Sequence, residues 1–596
     1  MDESALPDQE KRASAEDFSG LNPQQLRAVQ HGNGPLLIIA GAGTGKTRTL
    51  AYRVAWLISQ GVPPERLLLL TFTRRAAEEM LRRAGSVCRF ASGRVWSGTF
   101  HAIANRLLRM YGSSLGLSSQ FTVLDESDAA DLLGLIRSKL GYGSREQRFP
   151  RKTTIRAIYS RVANSREPLS RVLARDYPWC RHAEGGLAAI FSEYARQKQA
   201  RQVLDYDDLL LFWNELMDVP RVGQAIAERF EHVLVDEYQD TNLIQAEILQ
   251  KLRRRNRNIT VVGDDAQSIY SFRAATIRNI LDFPRQFPDT TIVTLEENYR
   301  SVQPILDLGN AVMAEAKFKY TKNLFSSRQS AQRPVLVVVR DEPEQAEVVC
   351  EKILGHLDEG IPLMEQAVLF RAGYHSDQLE IELVRRNIPF RKYGGLRFLE
   401  TAHVKDLIAF LRILENPRDE MSWFRVLDML EGVGPRTVER FLAELESRDY
   451  AVTRMGEIEM PPAAREGFTR LCELLLAVHA RGENLPVAAQ VERIRFFYEP
   501  LVPLLYDNPS PRLRDLEQLQ LLANRYESRS DFLADLTLDP PEATGEWAGR
   551  PRKDDDWLVL STMHSAKGCE WKFVYIIHAA DGNIPSDMST EDDEQV

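Results

Sequence analysis

Five cysteines in 596 residues, none of them in a Cys-x-x-Cys pair, leave little room for a disulfide framework or a zinc or iron–sulfur site. Cys88, Cys180, Cys350, Cys472 and Cys569 are scattered, which fits reduced thiols and a cytoplasmic setting. No window holds the 18 or more apolar residues of a membrane span. The first 18 residues are polar and acidic and lack the apolar stretch of a signal peptide, so they read as a loose tail. Positive charge is not in excess either. The net charge is −9, and whole-chain electrostatics do not advertise a polyanionic partner. What is present is ordinary for a soluble globular chain, 44% apolar and 27% charged residues, at a length that calls for three or four domains.

Charge is nonetheless uneven. Residues 145–175 carry nine basic side chains against Glu146 and Glu167. Arg148, Lys152 and Arg156 recur at i, i+4 and i+8 and share one helical face. A solvated helix face and a surface that tracks nucleic-acid phosphates both fit this run.

The most informative stretch is 36–49. An apolar run from Leu36 to Ala40 reads as a buried parallel strand, followed by Gly41, Ala42, Gly43, Thr44 and Gly45, and then Lys46, Thr47 and Arg48 at the start of a helix. Only a backbone nearly free of side chains can wrap phosphate oxygens with its N–H groups. Lys46 would reach the β- and γ-phosphates and the Thr47 hydroxyl would ligate Mg²⁺. Ala40 stands where the usual pattern has Gly, and is small enough to serve.

Two further strand-and-turn units carry polar groups. Val233-Leu234-Val235 reads as a buried strand with Asp236 and Glu237 at its C-terminal end, the edge at which open α/β sheets bind ligands. Asp236 would hold Mg²⁺, and Glu237 would polarise the water that attacks the γ-phosphate. A third strand, beginning at Ile259, leads to Gln267, placed to touch the γ-phosphate and sense its loss. Tyr270, Phe272 and Arg273 follow; core packing and a base-stacking platform both fit these aromatics.

Nine segments in order then resemble the motifs of the UvrD/Rep family of superfamily 1A DNA helicases. Residues 21–25, Leu-Asn-Pro-Gln-Gln, are similar to the adenine-reading Q motif, with Gln25 as base contact; 40–47 to motif I; 71–77 to motif Ia; and 98–101 to motif Ib. Residues 235–241 resemble motif II, 262–270 motif III, 295–301 motif IV, 393–398 motif IVa and 562–570 motif V. The resemblance implies that Arg48 and Tyr299 pack on adenine, that Arg300 is an arginine finger, and that Glu570 faces the ribose. It also implies DNA contacts at Phe72, His101, Tyr270, Phe272, Arg273, Arg397 and His564. Two departures weaken DNA contacts: Phe272 stands where the family usually has Trp, and Gly373 where Asn is common.

The fold so implied is α/β: two RecA-like, doubly wound parallel-sheet lobes, each with a mostly helical insertion. Lobe 1A is expected at 1–112 and 200–290, insertion 1B at 113–199 with its basic helix facing DNA, lobe 2A at 291–396 and 552–596, and insertion 2B at 397–551 facing duplex DNA. Helices are expected within 2B at 404–414, 423–430, 463–480 and 512–526. The Gly-Val-Gly turn at 432–434 reads equally as a phosphate-holding helix start or a plain helix–helix turn.

The function so implied is an ATP- and Mg²⁺-dependent 3′→5′ helicase or translocase acting on single-stranded DNA and single/double-strand junctions, with repair or replication proteins as partners. The family continues past motif V to an arginine-bearing motif VI, whereas this chain stops at Val596. A truncated chain that hydrolyses ATP slowly, with apolar surface uncovered in lobe 2A, is the resulting expectation. The alternative function is an ATP-gated single-stranded DNA-binding module with little turnover.

Overall fold

The computed structural model describes residues 18–88, 90, 92–142, 149–270, 274–393, 401–479, 485–506, 509–538 and 556–585. Among the described residues, twelve strands order the chain. β1 (Leu36–Ala40), β2 (Leu67–Thr71), β3 (Trp96–Thr99), β6 (His232–Val235), β7 (Ile259–Gly263) and β8 (Thr291–Leu295) form one sheet. β4 (Thr122–Val123) pairs with β5 (Val203–Leu204). β9 (Gln366–Phe370), β10 (Phe390–Tyr393), β11 (Leu558–Thr562) and β12 (Phe573–Ile576) form the other main sheet.

The first sheet has the order β3-β2-β6-β7-β1-β8 and every pairing in it is parallel. Its central strands β1 and β2 read as nearly unbroken apolar runs because both faces are covered there. Leu-Leu-Ile-Ile-Ala in β1 and Leu-Leu-Leu-Leu-Thr in β2 are buried at every position. The core on one face packs Leu36, Ile38, Leu67, Leu69, Leu234 and Val262 against helix Lys46–Ser59 and helix Arg74–Val87. The second sheet is also parallel, in the order β10-β11-β9-β12. Two doubly wound parallel sheets are therefore the α/β architecture that the strand pattern predicts.

Two compact units result: residues 1–296 with 399–540, and residues 297–398 with 541–596. Within the first unit, the described residues of segment 399–540 are mainly helical and join the earlier residues through buried charge. Arg412, in helix Ala402–Glu415, pairs with Asp128, and Lys405 reaches Asp125 at 2.7 Å and Asp128 at 3.5 Å. Asn416 Nδ2 donates to the carbonyls of Arg201 and Gln202 at 3.1 and 3.2 Å. Burial alone would raise the Asp128 carboxyl, but the cations Arg412 and Lys405 hold it down at about 2. The helices of this segment include Ala402–Glu415, Glu420–Asp428, Pro435–Ser447, Arg465–His479, Val487–Tyr498 and Pro509–Ala523.

In the second unit, β12 is an edge strand with Val574 and Ile576 about half exposed. Val335, Leu336 and Val338 are more than 80% exposed in an extended stretch outside the sheet.

Arg53 locks the region that carries the candidate site. It is fully buried, and its guanidinium donates to the carbonyls of Ala28, Val29, His31 and Gly32 and to the Thr260 hydroxyl. Helix Pro23–Val29, helix Lys46–Ser59 and β7 are thereby held in one register. Burial lowers the Arg53 pKa to about 9, still above neutrality, so the cation persists.

Candidate nucleotide and nucleic-acid site

In the first sheet β6, β7 and β1 are neighbours, and the turns that follow all three leave from the same C-terminal edge. This is where open parallel sheets bind ligands. After β1 the chain turns through Gly43 and Gly45 at φ +74° and +83°, which only glycine adopts without penalty. Helix Lys46–Ser59 starts at once with no side-chain cap on its first turn. Its leading N–H groups and the positive end of its dipole are thus offered to an anion. An added Cβ at Gly45 would sit 2.8 Å from Gln25 Nε2, so this position has no space for a side chain.

Lys46, Glu237 and Gln267, far apart in sequence, meet here. Lys46 Nζ lies 3.4 Å from Glu237 and 3.4 Å from Gln267 Oε1. Gln239 Nε2 donates to Glu237 Oε2 at 2.5 Å. Gln239 Oε1 in turn accepts the Asp264 N–H at 3.0 Å, and Gln267 Nε2 donates to Asp264 Oδ2 at 2.7 Å. These contacts close a ring through Lys46, Glu237, Gln239, Asp264 and Gln267. Glu237 sits at φ +49°, ψ +46°, a left-handed conformation that costs a non-glycine residue about 1–2 kcal/mol. Such strain, held by the surrounding ring, fixes the direction of a carboxylate. Gln239 and Asp264 were not among the sequence candidates; the only trace was their place in the two polar turns.

The Thr47 hydroxyl and the Asp236 carboxylate, on the same sheet edge, are a hard-oxygen donor set that fits Mg²⁺, whose remaining positions phosphate and water would fill. Gln25 is 1% exposed and is tied to the phosphate loop, its Nε2 donating to the Thr44 carbonyl at 2.9 Å and its Oε1 accepting from Asn22 N–H at 3.1 Å. Arg48 lies over the Tyr52 ring at 5.3 Å, beside Gly20. Gln25 and Arg48 therefore border the same start of helix Lys46–Ser59.

Of the aromatic candidates, Phe72 follows β2 and Tyr270 follows Gln267, and their rings stack at 4.8 Å and 25°. Phe72 is 36% exposed and Tyr270 9%. His101 makes an edge contact with Tyr206 at 5.8 Å. Phe272, Arg273 and Arg397 lie outside the described residues.

The second unit carries its own candidates. Arg300 Nε meets Glu570 Oε2 at 2.5 Å, and Tyr299 Oη donates to Glu297 Oε2 at 2.7 Å. Arg300 and Glu570 hold each other at a solvent-exposed position, where an ion pair contributes little, so both can be recruited to another partner at small cost. His564 follows β11 in the same unit and is half-buried.

One expectation needs correction. Lys152 and Arg156 do not form a phosphate-tracking face. Arg156 is 8% exposed and pairs with Asp207 at 2.9 Å, and Lys152 pairs with Asp131. Arg161 is bound by Asp176 and Arg175 by Glu167. Arg148 lies outside the described residues. The i, i+4, i+8 spacing was real, but the acids that neutralise it come from elsewhere in the chain and could not be read locally.

Comparison with known proteins agrees with this geometry. The UvrD/REP helicase N-terminal domain matches residues 21–288, and the UvrD-like helicase C-terminal domain matches residues 293–475 and 523–596. The chain belongs to the UvrD/REP helicase family. It is 30% identical over 600 residues to the ATP-dependent DNA helicase PcrA of Staphylococcus aureus, covering 97% of this chain and 80% of that protein. It is 31% identical over 595 residues to DNA helicase II of Escherichia coli, covering 96% of this chain and 81% of that protein. As a UvrD/REP chain it has both sheets within matched segments apart from Thr291 and Ile292 of β8, and the Lys46–Glu237–Gln267 ring lies wholly within the N-terminal match. Among the described residues no helix is long and apolar enough to cross a membrane.

Proposed function

We propose that this chain is an ATP-driven 3′→5′ single-stranded DNA translocase and helicase that works in the cytoplasm at single/double-strand junctions during DNA repair or replication. The observation that carries the reading is the ring joining Lys46, Glu237 and Gln267, with the Phe72–Tyr270 stack three residues beyond Gln267. Nucleotide chemistry and a base-stacking surface are thus linked by one short loop. The polarity and the cellular role rest on the family.

In this reading the triphosphate lies against the loop 40–47, and Lys46 exchanges Glu237 and Gln267 for phosphate oxygens. Mg²⁺, held by Thr47 and Asp236, would offset charge on the β- and γ-oxygens. Glu237, freed from Lys46 but still oriented by Gln239, accepts the proton of the attacking water. Gln267 registers whether a γ-phosphate is present and passes the difference to Tyr270 through the intervening loop. Gln25 and Arg48 border the base, and the family resemblance implies further nucleotide contacts at Tyr299, Arg300 and Glu570. Loss of the γ-phosphate removes its contacts with Lys46 and Gln267, and the change in that ring shifts the strand held at Tyr270. Phe72, Tyr270 and Phe272 stack on bases without sequence preference, because every base has a π-face, while Arg273, His101, Arg397 and His564 add polar contacts.

Turnover of ATP with and without oligo(dT), and unwinding of duplexes carrying a 3′ or a 5′ single-stranded tail, test the reading. Strand-stimulated hydrolysis and unwinding confined to the 3′-tailed duplex are expected. ATP-dependent strand binding without turnover would instead assign an ATP-gated binding module.

A further inference from the structure

A line of buried amides leaves the Glu237 turn in a direction that hydrolysis itself does not use. Asn242 opens helix Leu243–Leu252 a few residues after Glu237. Its Nδ2 donates to Asn164 Oδ1 at 2.7 Å, near the end of the insertion helix Lys152–Ser165. Asn164 Nδ2 donates onward to Asp207 Oδ1 at 2.6 Å, and Asp207 Oδ2 accepts from Arg156 at 2.9 Å. From the opposite side, Asn279 Nδ2 donates to the carbonyls of Thr241 and Asn242 at 2.9 and 3.0 Å, and Ala275 bridges to Asn242 through the backbone. The end of the Glu237 turn, the exit of the segment bearing Gln267 and Tyr270, and the insertion helix therefore meet at one cluster.

The centre of the cluster is three neutral, directional amides, Asn164, Asn242 and Asn279, 6%, 7% and 1% exposed. A buried amide that loses its partner keeps the full desolvation penalty, so neither neighbour can shift without moving the other or breaking the bond. Asn164 touches neither the nucleotide ring nor the aromatic stack, yet it holds the residue that both must move against.

We propose that Asn164 is a positioning residue that couples the nucleotide state of the Lys46–Glu237–Gln267 ring to strand binding at the Phe72–Tyr270 stack. The inference rests on the function proposed above. The quantity that reads it is the factor by which Mg²⁺·AMP-PNP changes the affinity of the full chain for oligo(dT), a linkage that needs no turnover.

Asn164→Asp sets a carboxylate against that of Asp207 and should cut the coupling factor about fivefold, with AMP-PNP affinity in the absence of DNA unchanged. The exchange Asn164→Asp with Asp207→Asn restores the bonds from position 164 to Asn242 and to position 207, and loses the donation to the Ser160 carbonyl. The new carboxylate accepts from Asn242 and from the new amide, total charge is that of the original pair, and coupling should return. Asn164→Ala, which adds no charge, gives the same readout if Asn164→Asp does not fold. Unchanged coupling in a folded Asn164 variant overturns the proposal, as does a folded exchange variant that stays uncoupled. So does a parallel loss of AMP-PNP affinity without DNA, which would mark a merely structural role. A wild-type chain that binds neither probe defeats the motor reading and this inference together; one that binds both, with coupling indifferent to Asn164, defeats the inference alone.

Discussion

Gly263, the last residue of β7, stands behind the Lys46–Glu237–Gln267 ring, and one methyl group there should disturb both stability and turnover. A Cβ at this position would lie 2.6 Å from Ile280 Cδ1 and 2.8 Å from Gln239 Oε1, well inside ordinary contact. Ile280 is fully buried and cannot swing into solvent. Overpacking of this kind costs about 1–3 kcal/mol. Displacing Gln239 also strains its bond from the Asp264 N–H, worth about 1 kcal/mol. Gly263→Ala should therefore lose about 2–4 kcal/mol, seen as a lower unfolding midpoint by scanning calorimetry. Gln239 also orients Glu237, and a misplacement of roughly 1 Å costs about 10²-fold in rate. Strand-stimulated ATP turnover should fall by that order while AMP-PNP affinity holds, because loop 40–47 is untouched. A variant with wild-type melting and wild-type turnover would refute the claim that Gln239 positions the base.

Other outcomes follow from individual groups. Burial, with the nearby cations Arg53 and Arg253 adding to it, lowers the His232 pKa to about 4. Between pH 6.5 and 4 the unfolded chain then binds a proton that the folded chain does not, so stability falls as pH drops through this window and levels below it, by up to about 3 kcal/mol. His232→Gln should flatten that part of a pH series of urea melts. Arg412→Met leaves Asp128 with the weaker influence of Lys405 and Arg425, at a cost of about 3 kcal/mol in a thermal melt, and adding Asp128→Asn should recover most of it. Arg300→Ala should lower kcat by about 10³-fold or more in single-turnover hydrolysis while AMP-PNP affinity changes little.

Much of the site was legible in the sequence because its determinants are local. The apolar run before Gly41, the two carboxylates after Val235 and the glutamine after Val262 each mark a strand end, and a parallel sheet gathers strand ends at one edge. What escaped was set by partners distant in the chain. Gln239 matters because Asp264 and Glu237 converge on it. The left-handed backbone of Glu237 leaves no mark in residue type. Arg156 looked like a surface cation until Asp207, 51 residues later, proved to bury it. Segment 399–540 lies in sequence between β10 and β11 of the second sheet, and its packing in one unit with residues 1–296 had no local mark: Asp128 and the carbonyls of Arg201 and Gln202 meet Arg412 and Asn416 there.

The most direct test of the central claim is steady-state ATP hydrolysis by the full chain with and without saturating oligo(dT), with Glu237→Gln measured in parallel. The account predicts hydrolysis that rises with the strand and is abolished in Glu237→Gln, which should still bind Mg²⁺·AMP-PNP. Hydrolysis indifferent to the strand, or undiminished in Glu237→Gln, would contradict it.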